Sequence, residues 1–123
     1  MSDVVMQSEK DVQQCTEKLL EAIHNSKVFS DYVFARDEIQ RYPERKERAD
    51  RFRRDNYLSR NGSGEETAGM QAELYQQRQQ LRLDPVIDNY LNAELVLCRM
   101  LRECAVRILN AADLDLENME DIL

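Results

Sequence analysis

Apolar residues recur along most of the chain at intervals of three and four, the period of a helix. After Ser8, Glu9 and Asp11, a helix start with carboxylates near the positive end of the dipole, come Val12, Cys15, Leu19, Leu20 and Ile23. Asn25 and Ser26 interrupt the pattern, and Ser26 is suited to cap a second helix. That helix carries Phe29, Tyr32, Val33 and Ile39 on one side, with Arg36, Asp37 and Gln40 on the other. It is expected to end at Tyr42, because a residue preceding proline is pushed out of the helical region. Pro43 fits the first turn of a third helix, whose inner side is marked by Ala49 and Phe52 and whose end lies near Leu58. Residues 59–64 (Ser-Arg-Asn-Gly-Ser-Gly) read as a flexible loop. A fourth helix follows with Met70, Leu74 and Leu81 inside and a glutamine-rich outer face. Asp84-Pro85 restarts the pattern as an N-cap with proline at the first helical position.

The fifth helix runs to about Ala112 without a breaker, roughly 40 Å at 1.5 Å per residue. Steps of about 100° place Ile87, Tyr90, Leu97, Leu101, Cys104 and Ile108 on one stripe. Leu91, Leu95, Cys98, Ala105 and Leu109 form a second stripe about 100° away. An apolar arc of roughly 200° is wider than one packing partner needs. One stripe is therefore assigned to the chain's own helices and the other to a second subunit, the alternative being a central helix enclosed by its own bundle. The expected oligomer interface is Leu91, Leu95, Cys98, Arg102 and Leu109. The expected fold class is all-α, a helical bundle of about five helices with a long C-terminal helix used in oligomerisation. Residues 1–112 make one helical domain, followed by an acidic tail over 113–123 suited to a short helix.

Composition supports this picture and narrows the chemistry. A chain of 123 residues holds one modest core, and with Gly at 3 and Pro at 2 it lacks the turns of a sandwich or barrel. No apolar run approaches the ~18 residues that span a bilayer. The first residues lack the basic and apolar regions of a secretory signal, and three cysteines fit a reducing compartment, so the cytoplasm is the expected location. Net charge is −7, unevenly spread: residues 1–64 balance at 12 basic and 12 acidic, whereas residues 65–123 carry 5 and 12. A pI near 4.8 argues against a general nucleic-acid binder.

Against that background five features are weighed for chemistry. Cys98 and Cys104 stand six apart, separated by about 120° around a helix, and Cys15 lies on another helix. They read as small buried hydrophobes, although a cluster shared between subunits stays open because Cys98 is on the interface stripe. Residues 41–54 hold seven basic side chains against three acidic ones, with Arg45, Arg48 and Arg51 the candidate basic contact surface. Pairs at i,i+4 with the acid first (Glu44 and Arg48, Glu47 and Arg51, Asp50 and Arg54) account for most of that run as helix stabilisation. His24 closes the first helix with no nucleophile motif around it. Glu94 lies about 40° from the centre of the apolar stripe, where a carboxylate needs a partner and is suited to orienting helices. Asn61-Gly62-Ser63-Gly64 lacks the lysine of a phosphate loop. The expectation is a protein that is not an enzyme and carries no cofactor or small-molecule substrate.

Two blocks of residues add a resemblance. Leu19, Ile23, Ser26, Phe29, Tyr32 and Ala35, then Phe52, resemble the N-terminal pattern of the YlbF/YmcA family of small helical bacterial regulators. Pro85-Val86, Tyr90, Ala93-Glu94, Leu97 and Leu101 are similar to the family's second block, and together the two span roughly residues 10–110. The resemblance implies a cytoplasmic helical protein that dimerises or assembles further. It also implies a regulator of competence, sporulation and biofilm formation in Gram-positive bacteria, acting in a complex that influences messenger-RNA processing by ribonuclease Y. Some members of that complex hold iron–sulfur clusters on cysteines, whose arrangement the spacing here does not reproduce. The expected function is thus a non-catalytic regulator or scaffold that binds other regulatory proteins and forms a homodimer or higher oligomer. The alternative is an RNA-processing accessory factor using the basic helix 43–58, with nucleic acid the less favoured partner and no membrane involved.

Overall fold

The structure is a computed structural model that describes residues 2–60 and 65–113. Within them the chain forms five helices and no strand: α1 (Ser2–His24), α2 (Lys27–Ile39), α3 (Pro43–Arg60), α4 (Glu65–Leu81) and α5 (Pro85–Ala111). The all-α class is thereby established. The tail beyond Asp113 and the loop residues 61–64 lie outside the described residues.

The boundaries follow from local chemistry. The Ser26 hydroxyl donates to the Ile23 carbonyl at 2.7 Å, and its oxygen accepts from the Phe29 N–H at 3.1 Å. One side chain thus closes α1 and opens α2. Towards Pro43, α2 ends at Ile39, ahead of the expected Tyr42, because Arg41 and Tyr42 donate to the carbonyls three residues back and tighten the chain into a turn. Asp84 caps α5, one carboxylate oxygen accepting from Val86 N–H at 3.0 Å and Ile87 N–H at 3.4 Å, with Pro85 next. Two further boundaries differ from expectation. α1 begins at Ser2 rather than Ser8, since nothing between them breaks a helix and Asp3 supplies the first-turn carboxylate. α3 continues past Leu58 to Arg60, and Ser59, expected in a loop, is buried.

The core gathers Ala35 and Ile39 of α2, Ala49 of α3, Leu81 of α4, and Ile87, Tyr90 and Leu91 of α5. Ile39 and Ile87 are fully buried at its centre. The widest packing is between α2 and α5, then between α3 and α4. α2 and α5 run in opposite directions: Arg45, just beyond the end of α2, reaches Asp84 at the start of α5, and midway Tyr32 stacks on Tyr90. All four buried residues of α5 fall between Ile87 and Leu97. Beyond Leu97 the helix projects, with α1 alongside: Val12, Cys15 and Leu19 border one shallow depression with Ile108. On α1 the expected inner residues Val12, Leu19 and Leu20 are exposed, and Ile23 is half-buried. Met70, expected inside α4, is also exposed, whereas Leu74 and Leu81 are buried as expected.

Candidate functional site

The basic run of α3 is divided between two uses. On the side facing α5, Lys46 and Arg53 lie over the ring of Tyr90, 5.5 and 5.9 Å from its centroid. Asp50 links them, bonded to Lys46 Nζ at 2.6 Å and to Arg53 Nη1 at 3.0 Å. Arg53 Nε then donates to Glu94 at 2.8 Å, tying α3 to α5. Asp50 pairs in this way rather than with Arg54, because Lys46 and Arg53 stand on the turn above and the turn below it, towards α5.

This network sets the charges around Tyr90. Burial pushes the Tyr90 hydroxyl up to about 12, Arg53 opposing and the Glu94 charge adding. Burial would raise the Asp50 carboxyl as well, but hydrogen bonds from Lys46 and Arg53 outweigh it and hold Asp50 below its ordinary value. For Arg53 burial opposes the charge, yet the bond to Glu94 raises its pKa. Glu94 therefore has the helix-orienting position that its place on the apolar stripe suggested. Its partner, 41 residues away, carries no sequence signal.

Two further cations are spent on joints. Arg45 binds the second carboxylate oxygen of Asp84 at 2.9 Å and lies over Tyr42 at 4.5 Å, so this member of the candidate basic surface braces the start of α5. Arg78 of α4 donates to Asp88 at 2.8 Å and to Asn92 at 2.9 Å, fixing α4 against α5. Arg48 and Arg51 remain exposed, Arg51 bridged to Glu47 as expected, and both border a groove with Gln77 and Gln80 of α4.

Of the expected interface on α5, Leu91 belongs to the chain's own core at 7% exposure. Leu95, Cys98 and Arg102 are exposed and Leu109 is half-buried. Further apolar surface accompanies them, with Val96, Leu101 and Ile108 exposed on α5 and Val4, Val5, Met6 and Val12 on α1. The two projecting helices thus present much more apolar surface than scattered single residues would.

The cysteines differ from the buried hydrophobes expected of them: Cys15 and Cys98 are exposed and Cys104 is half-buried, all three free. The cause is the light packing of α1 and of the second half of α5. An iron–sulfur centre needs converging thiolates. Cys98 and Cys104 are about 9 Å apart along one helix and point in different directions, so the three do not fit a cluster within one chain. Among the described residues no group of three or more His, Cys, Asp or Glu side chains is placed to hold a metal ion. His24 packs against Phe29, their ring centroids 4.9 Å apart, and joins α1 to α2. No helix among the described residues is long and apolar enough to cross a membrane.

The family model described as control of competence regulator ComK, YlbF/YmcA, matches residues 12–111. No curated protein and no solved structure matches the chain.

Proposed function

The chain belongs to the YlbF/YmcA family, and from that premise we propose that it is a non-catalytic regulatory or scaffold protein acting in the cytoplasm through protein–protein contacts. The observation that carries this is the apolar surface left open on α1 and on α5 beyond Leu97. Such surface is costly in water at about 25 cal/mol per Å², and a partner that covers it gains that energy. Arg45, Arg53, Arg78 and Glu94 are committed to holding helices together. The same open surface supports self-association, with Leu95, Cys98, Arg102 and Leu109 at the contact.

Affinity capture from the native cell tests this. Protein partners are expected with the unmodified chain and are expected to be lost with Leu101→Asp, which plants a charge in the open apolar surface. Equal recovery with both chains would count against the proposal. A second reading, contact with RNA, draws on Arg48 and Arg51 beside the amides of Gln77 and Gln80. A salt-sensitive RNA affinity lost in Arg48→Gln/Arg51→Gln would favour it.

A further inference from the structure

A groove of 320 Å³ runs along the seam between α2 and α5. From α2 it takes Val28, Asp31, Phe34, Ala35 and Glu38, one face of the helix over about 15 Å. From α5 it takes Asn89, Asn92, Ala93 and Val96, again at helical spacing. Ala35 and Ala93 keep the floor shallow enough for another backbone to approach, and Phe34, 74% exposed, stands as an uncovered wall. Phe34 is a large apolar side chain left in water in the middle of a well-formed helix. The rim is acidic and amide-bearing: Asp31 and Glu38 stand two turns apart, and among the described residues no lysine or arginine lines the groove. The exposed Lys27 bridge to Asp31, at 3.1 Å with Lys27 88% exposed, neutralises little.

The occupant such a groove fits is a helix with an apolar face flanked by basic residues. Among the described helices, α1 has five acids against two bases, and α3 already uses Ala49 and Phe52 inside. The stretch of α5 from Leu95 to Leu109 matches. Steps of about 100° place Leu95, Cys98, Val106 and Leu109 on one face, with Arg99 and Arg102 among them. Leu95, Cys98, Arg99 and Arg102 are exposed.

We propose that the Leu95–Leu109 face of α5 seats in the α2–α5 groove of a second copy, and the second copy's face in the groove of the first. This rests on the self-association proposed above and names where the contact lands. The face and the groove adjoin on the same helix, Val96 in the groove next to Leu95 on the face, so the arrangement closes on itself. Two α5 helices cross antiparallel near Leu95, each covering the other's Phe34. Because α2 runs opposite to α5, Glu38 lies toward the Asn89 end of the groove and Asp31 toward the Val96 end. Antiparallel crossing at Leu95 carries Arg102 of one copy, seven residues beyond the crossing, to the Asp88–Asn89 level of the other at its Glu38 end, and Arg99, four residues beyond it, to the level of Leu91, between Glu38 and Asp31.

A charge swap tests this by native mass spectrometry and sedimentation equilibrium at matched concentrations. Arg102→Glu and Glu38→Arg are each expected to weaken self-association at least about ten-fold, the equivalent of 1.4 kcal/mol. Mixing the two variants is expected to restore a mixed dimer, since one of its two seats then pairs a native Arg102 with a native Glu38 and the other pairs the swapped charges. Phe34→Ser, which keeps the charges, is expected to weaken association with an unchanged helical circular dichroism signal. An oligomeric parent whose affinity ignores all three substitutions would overturn this seat and leave self-association standing. Weakened single variants with no mixed dimer would also overturn it. A monomeric parent would overturn both.

Discussion

The two halves of α5 are alike in sequence and opposite in setting. From Pro85 to Leu97 the helix buries Ile87, Tyr90 and Leu91 in the core shared with α2, α3 and α4, Leu97 is buried as well, and Asp88, Asn92 and Glu94 are each tied to a side chain of a neighbouring helix. From Cys98 to Ala111 the apolar residues are as frequent, yet Leu101 and Ile108 are exposed and the nearest helix is the lightly packed α1. The first half is held by burial and by charges fixed on three helices. The second half leaves apolar side chains open to water, and the interface proposed above rests on them. A period of 3.6 reports which face of a helix is apolar, and it is silent on whether the cover lies in the same chain.

Substitutions should separate the halves. Ile87→Ala removes a fully buried side chain and is expected to cost about 3 kcal/mol in urea unfolding. Ile108→Ala is expected to leave unfolding at the lowest protein concentration within about 0.5 kcal/mol and to reduce its concentration dependence. A similar cost for both would erase the distinction.

The pH dependence of the first half comes next in size. Tyr90 has its pKa raised in the folded state to about 12, so its contribution is full below pH 10 and lost as pH rises towards 12. The loss is on the order of 2 kcal/mol, and Tyr90→Phe should remove that part of the alkaline decline. Asp50 has its pKa lowered, so its contribution is present above about pH 4 and lost as pH falls through the folded value. An alkaline limb identical in Tyr90→Phe would show that the phenol is not confined as described.

Smaller effects are expected at the joints. Asp84→Ala loses both the α5 cap and the Arg45 pair and should cost about 1–2 kcal/mol in thermal unfolding. The coupling between Arg53 and Glu94 in a double-mutant cycle should be about 0.5–1 kcal/mol, since Arg53 is 40% exposed and solvent screens the pair. A coupling near zero would leave Glu94 without its helix-orienting role.

Much of the first half was legible in the sequence, because its determinants are local. Ser26 and Asp84 announce caps, Pro43 and Pro85 announce starts, and the stripe through Ile87, Tyr90 and Leu97 faces inward as its spacing implies. Leu91 went to the core rather than the interface because both stripes of α5 find partners near its start, a question of how many helices surround it. The Arg53–Glu94 and Arg78–Asp88 bonds link residues whose spacing in sequence says nothing of their meeting. The exposure of Cys15 and Cys98 was hidden for the same reason: α1 has an apolar stripe, but little of the chain packs against it.

The central claim is that the open apolar face of α5 from Leu95 onward is an interface rather than an idle extension. Light scattering coupled to size exclusion measures it most directly, for the unmodified chain and for Leu95→Asp. The expected result is at least twice the 14.5 kDa chain mass for the parent, falling to a single helical chain in the variant. A parent that elutes at 14.5 kDa at about 100 µM, where even a dimer of micromolar affinity would be well populated, would contradict it.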